Sequence, residues 1–309
     1  MAGVLDAVDQ RTRLVGQNRL ELLMFKLAWR QTFAINVFKI QEVLKLPNLT
    51  MLPHRNPVVC GVTHIRQRTV PVINLSMAIK MRPLEPTKDS TIIVTEYNRT
   101  VQAFLVGGVD RIVNMNWEEI QPPPKGAGRS HYLTAITRYN NEIVEIIDVE
   151  KVLAEIVPYT TDVSSDVLDK ELMGQAVKRR VLVVDDSPVA LAQATSTLRK
   201  LGLTVISATN GLQAITLLRK WVEKGAPELD ELLMVITDAE MPEMDGYRLT
   251  TEIRKDPALK DLFIVLHTSL SGSFNKAMVE KVGCDGFLSK FQPDELAMVV
   301  QDRIRESGI

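Results

Sequence analysis

Cysteine is scarce: Cys60 and Cys284 are the only two in 309 residues, far apart and near no cluster of histidines. That excludes a disulfide framework and thiolate metal sites. The four histidines, His54, His64, His131 and His267, share no ligand spacing, so core or surface roles are expected. No apolar run approaches the length of a bilayer span. Asp6, Asp9, Arg11 and Arg13 break up any signal-peptide core. An excess of one charge is also missing. Net charge is −1; residues 1–160 hold 19 Lys/Arg against 15 Asp/Glu, and residues 161–309 hold 18 against 23. Neither half has a basic stripe, so no nucleic-acid partner and no direct membrane insertion are expected. What remains is a cytoplasmic protein of ordinary globular composition, 45% hydrophobic and 24% charged, long enough for two or three cores.

The chain changes texture along its length. Residues 1–18 place Val4, Leu5, Val8, Thr12 and Val15 at helical spacing and predict a short amphipathic N-terminal helix. Residues 19–156 carry short runs rich in Val, Ile, Thr and Phe, at 20–28, 31–37, 69–75, 90–97, 100–109 and 141–148, separated by turn residues. Asn98-Arg99 lies between two of them, as in a tight hairpin. Many short strands with this punctuation predict an all-β domain of two small barrels. Residues 157–178 are polar and read as a linker. From 179 to 309 apolar strands alternate with amphipathic helices, which predicts a parallel sheet covered on both faces.

The chemistry gathers in this last stretch. Ligands in open α/β sheets bind at the carboxyl ends of the strands. Asp185-Asp186, Thr237-Asp238, Thr268-Ser269 and Ser289-Lys290 all fall there. Three converging carboxylates repel one another unless a cation sits between them, and an all-oxygen set favours Mg²⁺. A carboxylate is also a competent nucleophile toward an activated phosphoryl donor. A haloacid-dehalogenase-like phosphatase would need a second aspartate two residues past Asp238, where Glu240 stands.

VLVVDDSP (181–188), TDAEMPEMDG (237–246), HTS (267–269) and GFLSK (286–290) resemble, in order, the motifs of the response-regulator receiver domain, a flavodoxin-like doubly wound fold. The resemblance implies that Asp238 is the phosphoacceptor. It implies direct Mg²⁺ ligation by Asp186, Asp238 and the Glu240 backbone carbonyl, with Asp185 acting through water. It makes Thr268 the switch hydroxyl, Phe287 the switch aromatic and Lys290 the phosphoryl-stabilising cation. Lys290 is followed by Phe291 where the family has proline. The same resemblance places Glu240 and Leu270 beside the hydrolytic approach, and an apolar Leu270 there predicts a slowly hydrolysed acyl phosphate.

CGVTHIRQRTVPVINLSMAI (60–79), LVGGVDRIVNMNWEEIQPPP (105–124) and YLTAITRYNNEIVEIIDVEKVL (132–153) resemble the CheW-type coupling domain, a pair of SH3-like barrels. That family joins chemoreceptor cytoplasmic domains to their histidine kinase, and Arg66 matches its receptor-coupling arginine. Val58, Val59, Val62 and Ile65 are candidates for an apolar contact patch or for core. Trp117 reads as packing and Pro122–Pro124 as a rigid connector. The order of the two domains resembles the CheV-type chemotaxis adaptors. It implies a non-enzymatic scaffold at receptor arrays on the inner face of the membrane, modulated by phosphorylation. The alternative is a phosphate sink that drains the kinase.

Overall fold

The computed structural model describes residues 19–156, apart from 29, 88, 98, 99 and 122–131, and residues 163–307, apart from 170, 171, 173, 175, 177 and 269–281. The predicted N-terminal helix, Pro122–Pro124 and Leu270 lie outside the described residues, as does the Trp117 side chain. The chain divides into two compact units, one from Arg19 to Pro158 and one that runs from Tyr159 onward.

Among the described residues the first unit has ten strands: β1 (Arg19–Lys26), β2 (Thr32–Asn36), β3 (Ile40–Lys45), β4 (Val59–Ile65), β5 (Arg68–Asn74), β6 (Thr91–Tyr97), β7 (Thr100–Val106), β8 (Gly108–Asn116), β9 (Leu133–Tyr139) and β10 (Glu142–Ile147). They form two five-stranded sheets, ordered β8-β1-β2-β10-β9 and β3-β6-β7-β5-β4. The chain starts in the first sheet, builds the second, and returns. Isolated bridges from the segments that follow the edge strands β8 and β3 reach the opposite edges, Gln121 to Ile136 of β9 and Thr50 to Val62 of β4. Two small barrels result, as the strand texture predicts.

Alternating residues fill each barrel: Leu20, Leu22, Met24, Ala34, Val113, Val144 and Ile146 in one, and Val70, Val72, Ile92, Val94, Ala103 and Leu105 in the other. The opposite faces of β1, β2, β6 and β7 are buried too, through Leu23, Phe25, Phe33, Ile35, Ile93 and Phe104. Burial on both faces explains their near-continuous apolar runs. Four strands were absent from the sequence reading. β3 alternates half-buried with exposed positions and carries Gln41, Glu42 and Lys45, which dilutes its signal. β7 and β8 part at Gly107, where a β-carbon would sit 2.9 Å from the Leu27 carbonyl oxygen. Two short helices, α1 (Leu75–Ala78) and α2 (Val149–Ile156), complete the unit.

The second unit is a parallel sheet ordered β12-β11-β13-β14-β15, built from β11 (Arg180–Val184), β12 (Thr204–Ala208), β13 (Leu232–Thr237), β14 (Ile264–Thr268) and β15 (Gly286–Ser289). Its helices are α3 (Pro188–Lys200), α4 (Gly211–Lys224), α5 (Pro227–Asp230), α6 (Gly246–Lys255) and α7 (Pro293–Glu306). Strand β11 feeds both layers. Val181 and Val183 pack with Ala194 and Leu198 of α3 and Leu296 and Val300 of α7. Leu182 and Val184 pack with Ala214 and Leu218 of α4 and Leu249 and Ile253 of α6. Ser187, Asn210 and Asp245 start α3, α4 and α6, each accepting a backbone N–H three residues on. Gly225 ends α4 in the left-handed region, φ +55°. Residues 163–169, inside the stretch read as linker, lie against α7, while Leu172 and Ala176 are buried in the core beneath.

Candidate functional site

The sheet order reverses at β11, and the acidic residues follow the two central strands. Backbone bonds carry both strand ends one residue further: Asp185 N–H donates to Ala208 O at 3.1 Å and Asp238 N–H to Val184 O at 2.7 Å. The backbone positions of both aspartates are therefore fixed by the ladder itself. Oxygens of Asp185, Asp186 and Asp238 lie within 4.8 Å of one another, with Asp185 and Asp238 buried and Asp186 half-buried.

Lys290, just past β15, reaches into this cluster. Its Nζ is 2.9 Å from Asp185 Oδ2 and 2.8 Å from Asp238 Oδ2, with only 1% of its side chain exposed. The second oxygens are held by backbone: Asp185 Oδ1 accepts from Ser187 N–H at 2.9 Å, and Asp238 Oδ1 from Ala239 N–H at 2.7 Å. A buried lysine and buried carboxylates stabilise one another only as a set, because each desolvated charge needs its partners. Three carboxylates against one ammonium leave the site net acidic. This all-oxygen donor set suits a hard divalent cation and offers no soft ligand.

Thr268, the last residue of β14, is 2% exposed, and its carbonyl accepts the Lys290 N–H at 3.0 Å. Phe287 stands opposite Leu266 on β15 and is half-buried against Ala239, Tyr247 and Leu266. Burial, reinforced by the negative charges of Glu240, Asp245 and Asp238, pushes the Tyr247 phenol up. Glu240 is half-buried beside the site. Phe291 turns the chain after Lys290 with φ +60° and a buried ring.

Two positioning features carried no role in the sequence reading. Gly246, the first residue of α6, lies so close to the Asp238 carbonyl oxygen that a β-carbon could not fit. Thr237 Oγ1 donates to that same oxygen at 3.0 Å. The Asp-Gly pair opening α6 was the available signal.

In the first unit Arg66 and Gln67 form the two-residue turn between β4 and β5, with φ of +46° and +67°. The Arg66 side chain is 79% exposed and reaches Glu42 Oε2 at 3.1 Å. Of the candidate apolar patch, Ile65 is core, whereas Val58, Val59 and Val62 are half-buried. Burial of Ile65 follows from the period of two, which sends it inward with Thr63.

Comparison with known proteins agrees with both halves. Residues 21–157 match the CheW-like domain, and residues 181–301 the response regulator receiver domain. Chemotaxis protein CheV1 of Helicobacter pylori is 31% identical, over 97% of this chain and 98% of its own length. CheV2 of the same organism is 26% identical, over 92% of this chain and 94% of its own. Chemotaxis protein CheW of Klebsiella aerogenes is 26% identical, over 50% of this chain and 92% of its own. Among the described residues no helix is long and apolar enough to cross a membrane. With a relative matched end to end above 30% identity and both domains in order, the chain belongs to the CheV family of chemotaxis proteins, adaptors that join a CheW-like domain to a phosphorylatable receiver domain.

Proposed function

We propose that this adaptor couples chemoreceptor cytoplasmic domains to their histidine kinase at arrays on the inner face of the membrane, and that phosphorylation of Asp238 modulates the coupling. The observation that carries the receiver half of this reading is the Lys290 ammonium seated between Asp185 and Asp238. An Asp238 oxygen attacks the phosphorus of the kinase's phosphohistidine. The bond to the histidine nitrogen breaks, its electrons stay on the imidazole, and an acyl phosphate forms on Asp238. Lys290 and the Thr268 hydroxyl then stabilise charge on the phosphoryl oxygens. Asp185, Asp186, Asp238 and the Glu240 carbonyl would hold Mg²⁺, which supplies charge neutralisation for the incoming phosphoryl group. Engagement of Thr268 leaves room for Phe287 to shift inward, and this two-state change alters the face around β15 and α7.

The coupling half acts through Arg66 and its surroundings on the receptor side. Incubation with phosphorylated kinase and Mg²⁺ should label the wild type, and Asp238→Asn should abolish the label. Acid-labile label persisting in that variant would move the phosphoacceptor to another carboxylate.

A further inference from the structure

The segment ahead of β11 is pinned to α7 at three places on one helix face. Asp294, Gln301 and Arg305 are spaced by seven and four residues, which aligns them along that face. Asp294 accepts the Ser164 N–H and the Ser164 hydroxyl, both at 2.7 Å. Gln301, 3% exposed, spends both ends of its amide on the segment's backbone: Oε1 accepts Asp169 N–H at 2.8 Å, and Nε2 donates to Val167 O at 2.9 Å. Arg305 reaches Asp169 Oδ2 at 3.2 Å. Val163, Val167 and Leu168 pack partly against the core cluster that holds Leu172 and Ala176. A buried glutamine used this way is a fitted seat for the backbone on either side of Leu168, just past the 3-10 turn at Ser165–Val167, whereas Ser164 is exposed and its carboxylate partner Asp294 is half-buried. The attachment is specific.

The seat also connects to the phosphoryl site. Lys290, held by Asp185 and Asp238, precedes Asp294 by four residues. Between them Phe291 is held in the left-handed region and Pro293 opens α7. A bulky non-glycine residue in that region is strained, so this short connection between the carboxylate cluster and Asp294 is under load.

We propose that residues 163–169 are a releasable strap whose hold on α7 is set by the charge on Asp238, so that phosphorylation lengthens the tether between the two units. With the strap seated, residues 157–162 are the connection, six residues reaching about 20 Å at full extension. With it released, residues 157–171 serve, fifteen residues reaching about 50 Å. A phosphoryl group brings a charge of about −2 and three strong acceptors to Lys290. Lys290 follows them, the 290–294 turn shifts, and Asp294 leaves Ser164. The trigger rests on the reading of Asp238 as phosphoacceptor; the seat does not.

Hydrogen exchange of the full chain, read at the Ser164 and Asp169 amides, tests this. Beryllofluoride with Mg²⁺, a phosphoryl mimic, should speed both amides by about tenfold, as expected for a local opening. Gln301→Ala should speed them without the mimic. Protection gained around residues 238–246 reports that the mimic has bound. Binding with strap exchange unchanged or slower overturns the proposal. Should the mimic fail to bind, the phosphoacceptor reading fails, and Asp238→Ala decides for the strap. That variant removes one partner of Lys290: changed exchange at the Ser164 and Asp169 amides upholds the connection to the strap, and unchanged exchange overturns it.

Discussion

Gly246 packs directly against the backbone carbonyl of Asp238, with no room for a β-carbon between them. The first turn of α6 thus presses on the residue whose carboxylate the site is built around. Gly246→Ala must displace one or the other. We expect a loss of about 1–3 kcal/mol of receiver stability, the usual range for overpacking, and weaker phosphoryl labelling at equal protein. Urea unfolding and labelling check it; a fully labelled, unshifted variant would contradict the packing argument.

Lys290 bridges two buried carboxylates. Lys290→Met should cost about 3 kcal/mol or more, because removing one partner strands buried charge. Saturating Mg²⁺ should recover part of that loss by neutralising the same oxygens, and adding Asp186→Asn should reduce the recovery. Unfolding curves with and without Mg²⁺ provide the comparison. Equal shifts by Mg²⁺ with Asp186 present or replaced would remove that residue from the metal set.

Arg66 occupies an exposed turn, and its ion pair with Glu42 is open to water. Exposed pairs of this kind are worth roughly 0–1 kcal/mol. Arg66→Glu should therefore leave the barrels intact while weakening receptor binding. Arg66→Gly suits the left-handed backbone and should weaken binding without backbone strain. Receptor co-sedimentation tests both variants; undiminished binding by the two would take Arg66 out of the interface.

Asp148 accepts the Lys151 N–H at 3.0 Å at the start of α2. Burial chiefly, with the nearby Glu150 charge, raises its carboxyl above the usual range, against the pull of Lys39, the Lys151 N–H and the Lys151 charge. A carboxyl raised in the folded state gives stability that is present below its unfolded value, about 3.9, and is lost as pH rises through the folded one. Asn caps as well as Asp and carries no charge. Asp148→Asn should therefore gain on the wild type as pH rises from about 4 toward neutrality. Urea midpoints at acidic and neutral pH measure the difference. A constant difference would show that burial of this charge does not govern the site.

The receiver was legible in detail because its acidic and basic residues sit at strand ends, where parallel topology alone brings them together. Asp185, Asp238 and Lys290 meet as their positions in sequence imply. The barrels were legible as a class but not strand by strand. In β9 and β10 the Asn140-Asn141 pair, φ +48° and +67°, marks the turn, yet the polar residues flanking it hide the strand before it. The strap was read only as polar chain. Its hold depends on Asp294, Gln301 and Arg305, more than a hundred residues away in sequence, and no local pattern reveals such partners.

The most direct test of the account is kinase activity in receptor arrays reconstituted with receptor, kinase and the full-length protein, comparing wild type with Asp238→Asn. Both should join the arrays, since the substitution leaves the CheW-like unit, to which coupling is assigned by the proposal, untouched. Once phosphoryl transfer has labelled the wild type, kinase activity in its arrays should depart from that in arrays holding the variant. Equal activity, with the wild type labelled and both proteins in the arrays, would leave the receiver as a phosphate sink and contradict modulation through Asp238.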